Sequence, residues 1–265
     1  MNDTLLSRVE DAGLNASAPP QQRWMDGWLL RFSPGKARRA RCVNAVARGR
    51  LSLHEKLELA AGVYAAAGLP MAVRITRFTE PPELDAELAA RGWQMQDDTR
   101  VMVATPLTTA LTAPVLVHRS PCRPVAPPGL AMQRLPATAY AAAVGALRGS
   151  PQKQIDAHAQ RLSLSPVPYL GFAFCAEDGS VQACGQVARE GTLAGLYDVY
   201  TRPSARGQGL AQLLCERMLS MAASTGATAA YLQVDGDNAT ARRIYQRLGF
   251  VDGYGYHYRV PPEAG

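Results

Sequence analysis

The residues of this chain best suited to chemistry lie in one short segment, Val199-Tyr-Thr-Arg-Pro-Ser-Ala-Arg-Gly-Gln-Gly-Leu-Ala211. It reads as the end of a strand, a tight loop and the first turn of a helix. Gly207 and Gly209 let the backbone turn so that successive N–H groups converge on one point. The helix that follows adds the positive end of its dipole, and such a nest holds a pyrophosphate. Arg202 and Arg206 add charge with which phosphates can be screened or bonded directly. The segment lacks the Lys-Ser/Thr of a P-loop and the spacing of the dinucleotide fingerprint, so ATP and NAD are disfavoured as ligands.

The elements that must position this loop can be read on either side of it. Pro168–Cys175 and Ser180–Ala188, parted by Asp178-Gly179, form a β-hairpin pattern, and Leu193–Thr201 is a further strand closed by Arg202-Pro203. Leu210, Leu213, Leu214, Met218, Met221 and Ala222 recur at helical spacing up to about Ser224, with Gly226 as the stop. Thr228–Val234 is a strand; Asp237 or Asn238 caps a helix with apolar face Ala241, Ile244, Tyr245 and Leu248, and Gly249 ends it. The order β-β-β-α-β-α-β predicts an α/β fold, a mixed sheet covered by helices.

The first half follows a similar order. Trp24–Phe32 and Arg41–Val46 read as strands, Leu53–Ala67 as a helix, Met71–Phe78 as a strand, Pro82–Arg91 as a helix and Thr99–Ala104 as a final strand. Leu88-Ala-Ala-Arg-Gly-Trp93 parallels Ile244-Tyr-Gln-Arg-Leu-Gly-Phe250, which is either the trace of an internal duplication or a common helix C-cap met twice. Residues 106–130 are rich in Pro and Thr and read as a connector, within which Val115–His118 could pair as an edge strand. The expected organisation is therefore a domain over residues 1–108, a linker over 109–129 and a second domain over 130–260.

The segment Arg206-Gly-Gln-Gly-Leu-Ala211 has the R-x-x-G-x-A form, with Pro203 three residues before the Arg. About thirty residues on, Asn238-Ala-Thr-Ala-Arg-Arg-Ile-Tyr-Gln-Arg-Leu-Gly-Phe250 carries Asn, Ala, Tyr and Gly-Phe at characteristic spacings. Together they resemble the two signatures of the GNAT N-acetyltransferase superfamily, over roughly residues 130–260. The first half has no such loop and is at most a degenerate GNAT-like half. The resemblance implies a mixed, mostly antiparallel GNAT sheet flanked by helices, in two GNAT-like halves. It also implies that the amides of Arg206, Gly207, Gln208, Gly209, Leu210 and Ala211 bind the pyrophosphate of acetyl-CoA, while the backbone of Val199 and Tyr200 bonds the pantetheine arm where that strand splays from Thr228–Val234. Asn238 would help hold the cofactor, and Tyr245 would sit beside the thioester sulfur.

Chemical reasoning fits that role for Tyr245, since a phenol of pKa ~10 can protonate a departing thiolate whose thiol has a pKa near ~8.5. An alkyl amine of pKa ~10.4 must lose a proton before attack, so a base or water relay is expected. Asp198 is the best single candidate for that base, and is equally an ordinary place for a structural carboxylate bonded to a neighbouring loop. Glu177, Glu190 and Asp235 are weaker alternatives. No cysteine lies at either signature, which favours direct attack over a covalent enzyme intermediate. The expected function is acetyl transfer to a primary amine of a small molecule; the rival from another class is a catalytically silent acyl-CoA-binding regulatory module. Walls for the substrate are expected from the hairpin 168–190, from 139–165 with Gln152, Gln154 and His158, and from Tyr254–Tyr258, where Tyr256 and Tyr258 alternate as any packed strand residues do. A further expectation is that the first half caps this pocket through Trp24, Arg31 or Arg41.

Composition bounds the rest. The 265 residues carry 28 Lys+Arg against 22 Asp+Glu, a surplus of +6, with 47% hydrophobic residues, which excludes disordered and collagen-like classes. Apart from Lys36-Ala-Arg-Arg-Ala-Arg41 the basic residues are scattered, so an anionic small ligand is expected and no nucleic acid. Cys42, Cys122, Cys175, Cys184 and Cys215 are odd in number without C-x-x-C pairing, and His54, His118, His158 and His257 have no partner at i+3 or i+4, so neither a disulfide framework nor a metal is expected. Met1-Asn-Asp-Thr-Leu-Leu lacks a basic flank and an apolar run, and no membrane segment is present in the pattern, so the expected location is the cytoplasm.

Overall fold

A computed structural model describes residues 1–33, 37–107 and 127–262. Lys36, Val115–His118, Cys122 and most of the expected linker lie outside the described residues. The chain forms two compact units, one of residues 1–101, 235–237 and 253–265, the other of 102–234 and 238–252. Among the described residues no helix is long and apolar enough to cross a membrane.

The first unit begins with a helix that the pattern reading left out, α1 (Asp3–Ala16), capped by Asn2 Oδ1 accepting from Leu5 N at 2.9 Å. It buries Leu6, Val9, Ala12 and Ala16, a helical stripe diluted by small residues. The stretch expected as one strand over Trp24–Phe32 is instead a hairpin, β1 (Gln22–Met25) and β2 (Trp28–Arg31). Asp26 and Gly27 both take positive φ, 42° and 86°, the two-residue turn that Asp-Gly favours. Next come β3 (Val43–Ala45), α2 (Leu53–Ala66), β4 (Val73–Thr76) and α3 (Leu84–Ala90). A long strand follows, β5 (Gln94–Ala104), whose last residues belong to the second unit. Ser52 and Glu55 close a capping box at the start of α2. Strands β3 and β4 run parallel, joined through α2.

The second unit opens with elements absent from the sequence reading: β6 (Ala131–Leu135), α4 (Ala137–Arg148) and α5 (Gln152–Ser163). There follow the expected hairpin as β7 (Tyr169–Cys175) and β8 (Val181–Glu190), then β9 (Leu193–Thr201), α6 (Leu210–Ser224), β10 (Ala229–Asp235) and α7 (Ala239–Arg247). Strands β6 to β9 pair antiparallel in order, and β9 pairs parallel with β10 across α6. Leu210, Leu214 and Met218 of α6 are buried in a cluster with Phe174, Val187, Leu196 and Leu232, each such side chain contributing about 1.5–3 kcal/mol. A mixed, mostly antiparallel α/β architecture is the result.

The final strand, β11 (Val251–Val260), differs from expectation. The sequence pattern places it with the second half, yet from Gly253 on it belongs to the first unit, where Tyr256 to Arg259 pair antiparallel with Thr76 to Val73. Tyr254, Tyr256 and Tyr258 are buried in that unit, Tyr254 donating to Glu10 Oε2 at 2.6 Å and Tyr256 lying under the Arg74 guanidinium at 4.0 Å. Each unit thus contains a strand–helix–strand crossover with parallel strands, which local patterning alone cannot distribute between units.

Candidate active site

Strands β9 and β10 pair from Leu193↔Ala229 to Leu196↔Leu232 and no further. A β-bulge on β9 accounts for the parting. Opposite β8, Cys184 faces Tyr200 and Gln186 faces Tyr197, so Asp198 and Val199 together oppose Gly185, and Asp198 sits at φ +50°. A Cβ at Gly185 would lie 2.9 Å from Met218 Cε and 3.3 Å from Val199 Cγ2, so a larger residue there would have to displace those side chains.

Beyond the bulge a cavity of about 710 Å³ opens along the end of β9, the loop, the start of α6 and one face of α7. Val199, Tyr200, Arg206, Gly207, Gly209, Leu210, Ala211 and Asn238, all singled out in the sequence, line it. Gly207 and Gly209 have φ of +79° and +74°, and Gly209 stands at the N-cap of α6, where no side chain bonds the first turn. The orphan N–H groups of that turn are therefore left for a ligand, and the helix dipole favours an anionic one. Arg206 lies over the Tyr200 ring at 5.8 Å. Gln208 is exposed and is not part of the lining.

Arg202 differs from expectation: its Nε donates to Val181 O at 2.9 Å, tying the loop to β8 instead of lining the cavity. Its place as second cation is taken by Arg247, which the motif reading missed. Thr240, Ile244 and Arg247 line the cavity at i, i+4 and i+7 of α7, so helical periodicity carried on from Asn238 would have found them. Asn238 caps α7, its Oδ1 accepting from Ala241 N at 3.0 Å, which leaves Nδ2 as its donor toward a ligand.

Tyr245 is half-buried on α7, packed edge-on to Phe250 at 6.1 Å and outside the cavity lining. Burial, with the neighbouring Cys215, pushes its phenol above the ordinary range, so it holds its proton. Burial also pushes the thiol of Cys42 up to about 11, of Cys184 to about 11 and of Cys215 to about 12. Asp198, expected as a base, is gripped on both oxygens: Arg148 Nη1 lies 3.0 Å from Oδ1 and His158 Nε2 lies 3.3 Å from Oδ2, while Tyr140 donates to its main-chain O at 3.0 Å. Burial alone would raise the Asp198 carboxyl, but the bond from His158 and the Arg148 and His158 charges outweigh it and hold it far below the carboxylate range. So held, it has little basicity. Glu190 and Asp235 end strands, and Glu177 lies beyond β7, none of them in the cavity lining.

The corresponding loop of the first unit, between β3 and α2, is filled by its own chain. The Asp26 carboxylate accepts from the amides of Arg50, at 2.9 Å, and Leu51, at 2.8 Å, just ahead of α2. Lys56 Nζ sits 3.2 Å from the same carboxylate and donates to the carbonyls of Asp26 and Arg48. An internal anion thus occupies the amides that an external one would need. Of the residues expected to cap a substrate pocket, Arg31 is buried, its Nη1 3.3 Å from Ser17 Oγ, and Trp24 is exposed.

Comparison with known proteins agrees with this geometry. Residues 141–250 match the Acetyltransferase (GNAT) family model. A mycothiol acetyltransferase of Streptomyces scabiei is 44% identical over 59 residues, 22% of this chain and 19% of that relative, so the chain spans about a fifth of the length of the curated relative it matches. A GCN5-related N-acetyltransferase from Kribbella flavida shares the fold with a TM-score of 0.65 at 18% identity, covering 97% of this chain and 96% of that one. A tandem GNAT protein from the clavulanic acid biosynthesis pathway has a TM-score of 0.58 at 13% identity, over 80% of this chain and 70% of that one. The matched residues 141–250 take in the bulged strand, the glycine loop and the two helices around the cavity, and over them the chain is similar to the GNAT acetyltransferases.

Proposed function

We propose that the chain transfers the acetyl group of acetyl-CoA to a primary amine of a small molecule, by direct attack of the amine. The observation that carries this reading is the cavity at the uncapped start of α6, with two left-handed glycines in its floor and Arg206 and Arg247 in its walls. These residues fit a pyrophosphate: amides and two guanidiniums, with no carboxylate side chain in the lining. Acetyl-CoA supplies the activated acyl group. The amides of Gly207 to Ala211 bind its phosphates with Arg206 and Arg247, and the unpaired edge of Val199 and Tyr200 bonds its arm beside Asn238.

Tyr245 Oη holds a proton at every physiological pH, and gives it to the sulfur as that atom departs. Asp198 enters as the carboxylate that anchors Arg148 and His158 behind the bulge, and the amine releases its proton to water. The tandem name of one neighbour supports reading the first unit as a GNAT-like half without a working loop, because Asp26 occupies the amides there.

The test is release of free coenzyme A from acetyl-CoA in the presence of a panel of small primary amines. Acceleration by at least one amine, with acetylation of its nitrogen, is the expected result. Thermal stabilisation by acetyl-CoA without acceleration by any amine overturns the enzyme reading in favour of a binding module.

A further inference from the structure

Side chains along β9 alternate between the two faces of the sheet until the bulge. Ala194 and Leu196 pack in the apolar cluster that holds α6, and Val199 packs there too, three residues after Leu196 where an unbroken strand would place residue 198. The extra residue of the bulge therefore reverses the alternation. Tyr200, which a regular strand would turn toward α6, packs instead against the cluster on the opposite face, with Tyr140 of α4.

On that face two guanidiniums lie over the Tyr200 ring. Arg148, at the end of α4, is 5.4 Å from the ring centroid, and Arg206, in the glycine loop, is 5.8 Å from it. Both lie within the ~6 Å over which the negative face of an aromatic ring attracts a cation. Two cations sharing one ring repel each other, and the repulsion is relieved here because Asp198 Oδ1 pairs with Arg148 at 3.0 Å. Arg206 itself is exposed, and an arginine free on a loop samples many rotamers that binding an anion must freeze. The ring against its flat face, together with Thr201 O accepting from Nε at 3.4 Å, already restricts it. Stacking engages the face of a guanidinium and leaves its N–H edge for a phosphate.

We propose that Tyr200 is a positioning residue for acetyl-CoA: its ring, steadied by Arg148, holds the Arg206 guanidinium at the cavity before the pyrophosphate arrives, so that less side-chain freedom is lost on binding. This rests on the acetyl-CoA reading above. The bulge then has two effects, parting β9 from β10 for the arm of the cofactor and turning Tyr200 to the arginines.

The test is a double-mutant cycle on the full chain between Tyr200→Leu and Arg206→Ala, read as the calorimetric Kd for acetyl-CoA. Tyr200→Leu should weaken binding about three- to tenfold in the parent, and by less than about twofold in the Arg206→Ala background. Tyr200→Phe keeps the ring and should bind within about twofold of the parent. Tyr200→Met, which fills the same space without a ring, takes the place of Tyr200→Leu if that variant does not fold. Equal weakening by Tyr200→Leu in both backgrounds, the mark of a general packing role, overturns the proposal. So does an unchanged Kd in Tyr200→Leu, or a loss in Tyr200→Phe as large as in Tyr200→Leu. A parent chain that binds acetyl-CoA while giving any of these results overturns the proposal alone; a parent chain that does not bind acetyl-CoA overturns the reading beneath it as well.

Discussion

Two side chains beside the cavity, neither of them in its lining, are similarly sheltered yet suited to different work. Tyr245 loses its usual acidity to burial, which suits a group that must arrive protonated. Tyr245→Phe keeps the packing on Phe250, so kcat should fall tenfold or more while KM for acetyl-CoA stays within about twofold, as steady-state kinetics will read. Asp198 is ionised and bound. Its folded pKa lies below the unfolded value of ~3.9, so the stability it contributes is present above about pH 4 and is lost as pH falls through the folded pKa. Asn tolerates the left-handed backbone at this position, so Asp198→Asn isolates the charge. It should cost about 2–3 kcal/mol at pH 7 by denaturant unfolding and flatten the acid side of the stability profile, because Arg148 is left partly buried without its anion.

Among the elements, the start of α6 and the start of α2 make a natural comparison. Both follow a strand whose parallel neighbour comes after the helix, and both present backbone amides near the helix start. At α6 the N-cap is Gly209, and among the described residues no side chain caps the first turn. Gly209→Ala places a Cβ on a left-handed residue there, so it should cost about 1 kcal/mol of stability and weaken acetyl-CoA binding in calorimetry. At α2 the carboxylate of Asp26 is the ligand, with Lys56 buried against it. Asp26→Ala strips the amides of Arg50 and Leu51 and leaves Lys56 without its counter-ion, and a lowered midpoint in equilibrium unfolding is expected.

At the scale of the whole molecule, the units do not follow the chain's halves. The first needs the terminal strand, because β4 pairs with Tyr256–Arg259, Arg259 Nε reaches Asp85 at 2.7 Å, and Tyr254 caps the Glu10–Arg74 pair. A fragment of residues 1–107 should therefore fail to fold cooperatively by circular dichroism and thermal melting. Covalent addition of residues 253–262 through a short glycine-serine linker should restore a cooperative transition. A stable fragment of 1–107 would show that β4 tolerates an open edge, contrary to the usual behaviour of buried apolar strands.

Much of the site was legible in the sequence because its chemistry is local. Gly207, Gly209 and the helix start are consecutive, and Asn238 to Phe250 form a single helix with its cap, so spacing fixes their mutual geometry. Long apolar periodic segments such as α6 were legible for the same reason. Helices α1, α4 and α5 escaped pattern reading because Ala and Gly dilute their stripes or polar residues dominate them. Only tertiary structure decided that Asp198 meets Arg148 and His158, that Arg202 turns to β8 while Arg247 faces the cavity, that Asp26 fills the first unit's amides, and that β11 serves the first unit. Each of these depends on contacts between residues far apart in the chain, which are set by sheet register and helix packing and leave no local mark on the residues that make them.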